Sequence, residues 1–351
     1  MNEILSPAAV QALLLWYQQN KRDLPWRHTS DPYRIWISEI MLQQTRVEAV
    51  KPYYARFLET CPTVEALATL PEEKLMKLWE GLGYYSRARN LQKAARTVME
   101  SYGGVMPATY EELLKLAGIG EYTAGAIASI AYGIRVPAVD GNVLRVLARV
   151  SGAKDDITLP ETKKAFREQL SLVVPAEAGD FTQSLIELGA TVCAPNREPM
   201  CEVCPLRENC IAYREGKTNE IPVRSPKKPR RIEERTVFII RDDDRTALCK
   251  RPAKGLLSGL YELPNVEGHL SEAAALEHLR AIGFEPLRIQ KIESAKHIFS
   301  HIEWHMIAYD VHIASEFDGL HGKSGMLLVP SRELHQNYAI PSAFGAYVKY
   351  L

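Results

Sequence analysis

Two carboxylates and a group of four thiols are the side chains in this chain whose types and spacing could do chemistry. Glu39 stands in the run Trp36-Ile-Ser-Glu39-Ile-Met-Leu-Gln43-Gln44-Thr45. On a helix, Trp36, Glu39 and Gln43 share one face while Ile37, Ile40 and Met41 share another. The second face can pack, which leaves Glu39 to point into a cleft. A carboxyl group in an apolar pocket has a raised pKa and can donate a proton near neutral pH. The alternative is a surface glutamate with Gln43 and Arg46 as exposed neighbours. Asp140, in Val139-Asp140-Gly-Asn142, precedes the helical run of Val143, Leu144 and Leu147. It reads either as an ordinary helix N-cap or as a second carboxylate of one site.

The thiols are Cys193, Cys201, Cys204 and Cys210, with seven, two and five residues between them. In a reducing compartment such a group is a metal site rather than a pair of disulfides. Four thiolates suit either Zn²⁺ or a [4Fe–4S] cluster. Zinc ribbons commonly pair two Cys-x2-Cys units, whereas this run has one such unit, unequal flanks and Pro205 after the third cysteine. Cys61 and Cys249 stand alone and are expected to be core thiols.

These groups need elements to hold them. Leu116-Ala-Gly118-Ile-Gly120-Glu-Tyr122-Thr puts two glycines around one apolar residue, between two helical patterns. Glycines let the backbone turn sharply and approach a ligand closely. A helix opening near Thr123 would turn its free N–H groups and positive dipole end toward whatever the hairpin touches, an arrangement that suits a phosphate. Alone, the same pattern is only a turn.

Helical periodicity runs through residues 1 to about 213. Ser6-Pro7 caps a run of Val10, Leu13, Leu14 and Tyr17, and Thr109-x-x-Glu112 is a capping box. Further helical runs are expected near 34–49, 72–80, 86–101, 110–117, 123–132, 142–151, 161–174 and 181–192. Residues 214–235 read as a linker. In it Arg224-Ser-Pro-Lys-Lys-Pro-Arg-Arg231 carries five basic residues in eight, either following DNA phosphates or solvated. From 236 the chain turns β-rich: a hairpin over Thr236–Ile240 and Ala247–Cys249, a helix over 271–282, and strands near 286–293 and 304–313.

The chain has 351 residues, enough for two or more domains with real cores. Its formal net charge is zero, so nucleic-acid binding must come from local patches. It has no apolar run long enough to span a membrane and no signal-peptide pattern, so the expectation is a cytoplasmic protein acting on the chromosome.

Together, Gly118, Gly120, Tyr122, Asp140 and the four cysteines resemble the helix-hairpin-helix DNA glycosylases of the endonuclease III superfamily. The Ser38–Thr45 run, Gly81-Leu-Gly-Tyr84-Tyr-Ser-Arg87-Ala-Arg89-Asn90, Val139–Asn142 and a Nudix-like tail resemble its MutY branch, the adenine DNA glycosylases. The family's usual first cysteine spacing is six residues; here it is seven, with all four ligands kept. The implied fold is an all-α helix-hairpin-helix domain with an iron–sulfur loop (1–213), then the 214–235 linker, then an α+β Nudix-like (MutT-fold) recognition domain (236–351). In that domain Arg280 and Ala281 stand where a Nudix box would place metal-binding glutamates, and Leu276 stands where its arginine would be.

The implied activity is removal of adenine mispaired with 8-oxoguanine or G in double-stranded DNA, by a monomer carrying one [4Fe–4S] cluster. By resemblance Glu39 is the general acid and Asp140 stabilises or traps the sugar cation, with Tyr122 and Asn142 orienting them. Arg27 and Gln183 contact the adenine, Gln44 wedges into the duplex, and Tyr84 stacks beside the lesion. Phe299, Ser300 and His301 read 8-oxoguanine. Gly118, Gly120, Arg87 and Arg89 contact the DNA backbone. Tyr122 occupies the position of a nucleophilic lysine in the strand-cutting members, which argues against a bifunctional glycosylase–lyase. Retention of both carboxylates argues against a non-enzymatic damage-binding protein, and the missing Nudix glutamates argue against a pyrophosphohydrolase.

Overall fold

The computed structural model describes residues 4–195, 197–226, 228–314 and 325–351. Lys227 of the basic run lies outside them. In chain order the helices are α1 (Pro7–Asn20), α2 (Pro32–Leu42), α3 (Val47–Thr60), α4 (Val64–Thr69), α5 (Glu72–Leu78), α6 (Ser86–Tyr102), α7 (Tyr110–Leu113), α8 (Glu121–Tyr132), α9 (Gly141–Ser151), α10 (Pro160–Ser171), α11 (Ala178–Thr191) and α12 (Ile211–Arg214). Then come β1 (Arg231–Arg241), β2 (Arg245–Lys250), β3 (Tyr261–Glu262), β4 (Asn265–Glu267), α13 (Glu272–Ala281), β5 (Pro286–Ile298), β6 (Ile302–Ile313), β7 (Met326–Pro330) and α14 (Ser331–Asn337).

Local chemistry sets many of these bounds. The Ser6 hydroxyl accepts from the Ala9 N–H at 3.2 Å and Pro7 opens α1. Asp31 accepts from the Tyr33 N–H at 2.9 Å and Pro32 opens α2. Both side chains satisfy donors that a helix start leaves unpaired. Helices α8 and α9 stop at Gly133 and Gly152, whose φ of +65° and +66° place them in the left-handed region that favours glycine.

Three expectations are corrected. The run expected near 34–49 is two helices, because Gln44 adopts φ +58°, and a left-handed residue cannot continue a right-handed helix. Nor does α2 pack on one face only. Tyr33 and every residue from Ile35 to Met41 are buried, so α2 is a central helix with neighbours all round. The helix expected over 110–117 also contracts to Tyr110–Leu113, where the chain turns toward Gly118 at φ +76°.

The chain divides into two compact units. The first comprises Met1–Leu70 and Arg89–Pro226. One of its cores joins Val10 and Leu13 of α1, Leu144 and Leu147 of α9, and Leu185 and Leu188 of α11. Each such side chain contributes on the order of 1.5–3 kcal/mol by leaving water.

The second unit comprises Pro71–Ala88 and Lys227–Leu351. Its mixed sheet runs β3-β2-β1-β6-β5, with β4 also pairing β1 and β7 also pairing β2. β1 and β6 are parallel, from Arg231 beside Ile302 to Arg241 beside His312. The first strand therefore starts at Arg231, five residues before the apolar run: Arg231–Arg235 pair along β6 while their side chains stay largely polar and partly exposed. One sheet face packs Trp304, Phe344 and Tyr347; the other packs Phe238, Leu279 and Phe284 under α13. The 71–88 segment is tied into this unit by Lys77, whose Nζ donates to the Tyr338 carbonyl at 3.0 Å, and by Glu80, which accepts from the Ile340 N–H at 2.8 Å.

Candidate active site

In the first unit, α2, the 118–122 hairpin and the start of α9 converge on a pocket of about 700 Å³. α2 delivers Glu39, the hairpin delivers Tyr122, and the N-cap of α9 delivers Asp140. Glu39 is 7% exposed, and its Oε2 accepts from the Tyr122 hydroxyl at 2.7 Å. Burial pushes the Glu39 carboxyl up to about 7; the Asp140 charge adds to the rise, while the Tyr122 hydrogen bond and Arg27 oppose it. A proton is thus available on Glu39 near neutral pH, as a general acid requires.

Asp140 sits differently. Burial raises its pKa too. Its carboxylate, however, accepts from the Asn142 N–H at 2.9 Å, the Val143 N–H at 2.8 Å and Asn142 Nδ2 at 2.7 Å. Donors aimed at a carboxylate favour its charged form. The N-cap reading and the reactive-carboxylate reading are therefore compatible, since the capping bonds hold the group in place and favour its charged form against the effect of burial. Asn142 is fixed in turn by Arg145, whose Nη2 donates to Asn142 Oδ1 at 2.9 Å and to the Gly189 carbonyl at 2.7 Å. The helices approach closely here: a Cβ on Gly189 would lie 2.6 Å from Asn142 Cβ.

Arg27, Gln44, Asn142 and Gln183 also line the pocket. Gln44 is exposed in its left-handed turn, a conformation stored where surrounding structure over-determines it. At the hairpin, Gly118 has no room for a side chain, because a Cβ would lie 2.7 Å from Asn90 Cβ. Gly120 is the N-cap of α8, with open space beside it; α8 opens at Glu121, two residues before the position expected from sequence.

The second unit holds the other expected contact residues. Tyr84, 46% exposed and at φ +49°, shares a 3.0 Å hydrogen bond between its hydroxyl and that of Ser300. Phe299, Ser300 and His301 form the turn between β5 and β6, closed by the Phe299 N–H donating to the Ile302 carbonyl at 2.8 Å. The Phe299 ring packs edge-on to Trp304, with centroids 5.0 Å apart, while Ser300 and His301 are exposed at the tip. Arg87 is placed inside, not along an open surface. Its Nη2 donates to the Leu82 and Gly83 carbonyls at 2.9 and 3.0 Å, its guanidinium stacks over Trp79, and burial lowers its pKa to about 10. Its contact in this structure is with the loop that carries Tyr84. Arg89, by contrast, is half-buried in the first unit.

All six cysteines are free thiols. Cys193, Cys201, Cys204 and Cys210 line one small cavity, shared with Val146, Leu188 and Leu206. Arg149 Nη1 donates to Cys193 Sγ at 3.2 Å, and burial pushes the Cys204 thiol up to about 12. Among the described residues no three His, Cys, Asp or Glu side chains converge on a position for a single metal ion. Four thiols lining one cavity are the donor set that either Zn²⁺ or an iron–sulfur cluster would need.

Sequence reading missed Glu187, Arg22, Lys163 and Arg167. The last three line the pocket, where Arg167 pairs with Glu121. Glu187 is fully buried and clamps Arg22 and Arg27. Its signal was available: it lies four residues after Gln183, on the same face of a helix.

Comparison with known proteins finds relatives for both parts of the chain. Residues 37–174 match the family model described as HhH-GPD superfamily base excision DNA repair protein, and residues 236–350 match a NUDIX domain. The adenine DNA glycosylase of Mus musculus is 38% identical, over 83% of this chain and 68% of its own length. The adenine DNA glycosylase of Buchnera aphidicola subsp. Schizaphis graminum is 32% identical, over 87% of each chain. Among solved structures, a thermostable thymine-DNA glycosylase is similar to 59% of this chain and 95% of its own, with TM-score 0.54 and 34% identity.

Proposed function

Because the chain belongs to the adenine DNA glycosylase family of base excision repair, with a helix-hairpin-helix glycosylase domain followed by a Nudix domain, we propose that it removes adenine mispaired with 8-oxoguanine or G by hydrolysing the N-glycosidic bond, without cutting the strand. The observation that carries this reading is the buried Glu39 carboxyl. It is held by the Tyr122 hydroxyl at 2.7 Å with a pKa pushed up to about 7, in the same pocket as Asp140.

The target adenine leaves the duplex stack to enter the pocket. Glu39 donates its proton to N7. The glycosidic bond then breaks, its electron pair passing to the departing base and leaving a cation on the sugar. Asp140, whose three donors favour its charged form, stabilises that cation electrostatically or captures it as an ester. Water adds at the sugar carbon, and the Glu39 carboxylate takes its proton, which restores the starting state. Tyr122, where strand-cutting relatives would carry a lysine, offers no amine for a Schiff base, so the product is an intact abasic strand. Arg27 and Gln183 contact the base, and Gln44 fills the space it leaves.

In the second unit, Ser300 reads the opposite base, with Phe299 anchoring the turn and Tyr84 stacking beside it. Cys193, Cys201, Cys204 and Cys210 hold a [4Fe–4S] cluster, which supplies order to the loop they share rather than a step of the reaction.

The test is to incubate the protein with duplexes carrying A opposite 8-oxoguanine, G or T, and to quantify free adenine and strand breaks before and after alkali. Adenine release with breaks only after alkali, fastest opposite 8-oxoguanine, is the expected result. Absence of adenine release opposite both 8-oxoguanine and G overturns the reading, and breaks without alkali overturn its monofunctional part. Anaerobically purified protein is expected to contain about four irons per chain; zinc in their place removes the cluster assignment.

A further inference from the structure

One fully buried charge in the first unit is not used by the mechanism above. Glu187, on α11, has no exposed side-chain surface. Its Oε1 accepts from the Arg22 N–H at 3.0 Å and from Arg22 Nε at 2.8 Å. Its Oε2 accepts from Arg22 Nη2 and Arg27 Nη2, each at 2.8 Å. Arg27 is further pinned by Nη1 donating to the Arg22 carbonyl at 2.9 Å and by its stacking over the Tyr17 ring at 5.4 Å. Arg22 and Arg27 both line the pocket that holds Glu39. One carboxylate thus fixes two guanidinium groups at the wall of the reaction chamber.

We infer that Glu187 is a positioning residue for base excision: it sets the orientation of Arg27 toward the flipped base and cancels part of the positive charge that Arg22 and Arg27 bring to the pocket. This rests on the reading of the pocket as the adenine site. The geometric half follows from the fork shape of the guanidinium. With one Nη committed to Glu187 and the other to the Arg22 carbonyl, the plane of Arg27 is fixed before substrate arrives, so binding spends no side-chain entropy on it.

The electrostatic half follows from proximity. The charged and titratable groups around Glu39 are Tyr122 at the start of α8, Asp140 at the cap of α9 and Arg27 in the turn before α2. Arg22, Lys163, Arg167 and Glu121 stand further round the pocket wall. Of these Arg27 pulls the Glu39 carboxyl toward its charged form, and Glu187 is the anion hydrogen-bonded to Arg27. Without that anion, a fuller positive charge favours the Glu39 carboxylate, and the acid is lost at lower pH.

The experiment uses the full chain with A:8-oxoguanine duplex, under single turnover at saturating enzyme, over pH 5–9, beside affinity for an uncleavable duplex. Glu187→Gln keeps the shape and removes the charge; Glu187→Asp keeps the charge and reaches less far. The expected result for Glu187→Gln is a rate lowered roughly 10- to 100-fold, as for a misplaced contact group, with the pH at which the rate falls moved downward and duplex affinity little changed. Glu187→Asp is expected to restore the pH profile more than the rate. A merely structural role would lower melting temperature and leave the rate and pH profile of the folded enzyme as in wild type. That outcome, in whichever of the two variants folds, overturns the inference. Failure of the adenine reading is told apart because wild type itself would then release no adenine.

Discussion

At the scale of single residues, burial gives Glu39 its chemistry and costs the fold stability. Its pKa is raised from 4.5 to about 7, so between those values the folded state binds more protons than the unfolded state. Stability therefore falls as pH rises from about 4.5 to about 7 and levels off above that. Glu39→Gln removes the titration and can still accept from Tyr122. It is expected to melt at higher temperature than wild type at pH 8, by the equivalent of about 1–3 kcal/mol, and to show little gain at pH 5. The same variant should bind mispaired duplex while its excision rate drops by about 10²-fold or more, because an amide donates no acid proton. For wild type the single-turnover rate should decline above pH 7. A rate that stays level to pH 9 would remove Glu39 as the acid. Glu187 has the opposite sign: its two arginines, against the cost of burial, hold its pKa down to about 2. Its contribution to stability is present above its ordinary pKa and is lost as pH falls through 2.

At the scale of elements, glycines decide how closely the pieces of the site approach. Gly189→Ala would place a Cβ 2.6 Å from Asn142 Cβ and 3.0 Å from its carbonyl oxygen. Since α9 begins at the Asp140 cap, pushing α11 from α9 moves the carboxylate. The expected cost is about 1–3 kcal/mol, read as a lower melting temperature, together with slower excision. Gly118→Ala meets both a left-handed φ and the Asn90 side chain. The conformation alone costs about 1–2 kcal/mol, and the displaced hairpin is expected to weaken duplex binding more than it slows chemistry at saturating enzyme. Equal affinity for wild type and variant in a titration with non-cleavable duplex would deny the hairpin its place at the DNA.

At the scale of the molecule, residues 71–88 are the unexpected feature, because they group with the strands of the second unit. A chain cut after Pro226 therefore loses more than the residues that follow it. It also loses the partners of Lys77 and Glu80 at Tyr338 and Ile340, and the Ser300 hydroxyl that meets Tyr84. Such a truncated protein is expected to be cleaved by protease within 71–88 faster than the full chain. Its excision of adenine opposite 8-oxoguanine is expected to fall further than opposite G. Ser300→Ala leaves the unit intact, and so isolates the hydroxyl: a shrunken 8-oxoguanine-to-G rate ratio at unchanged melting temperature is expected. An unchanged ratio in both proteins would take lesion reading away from this unit.

What the sequence determined by itself is local. The caps at Ser6 and Thr109, the glycine turn at 118–120, the helix following Asp140 and the switch to β-structure depend on neighbours a few residues apart. Their short-range periodicity and capping chemistry are readable in a string, and recurrent motifs extended that reading to Glu39, Tyr122 and Asp140. Tertiary structure decided whatever depends on distant partners. Glu187 becomes a two-arginine clamp only because α11 passes the segment 160 and more residues before it. Arg87 turns inward because Trp79 and two carbonyls of its own loop enclose it. Gln44 breaks a pattern that periodicity alone would run on as one helix. The 71–88 segment joins the second unit through contacts some 260 residues away in sequence. Desolvation, charge pairing and backbone strain are set by what surrounds a residue in space, so the pKa of Glu39 and the clamp on Arg27 belong to the fold.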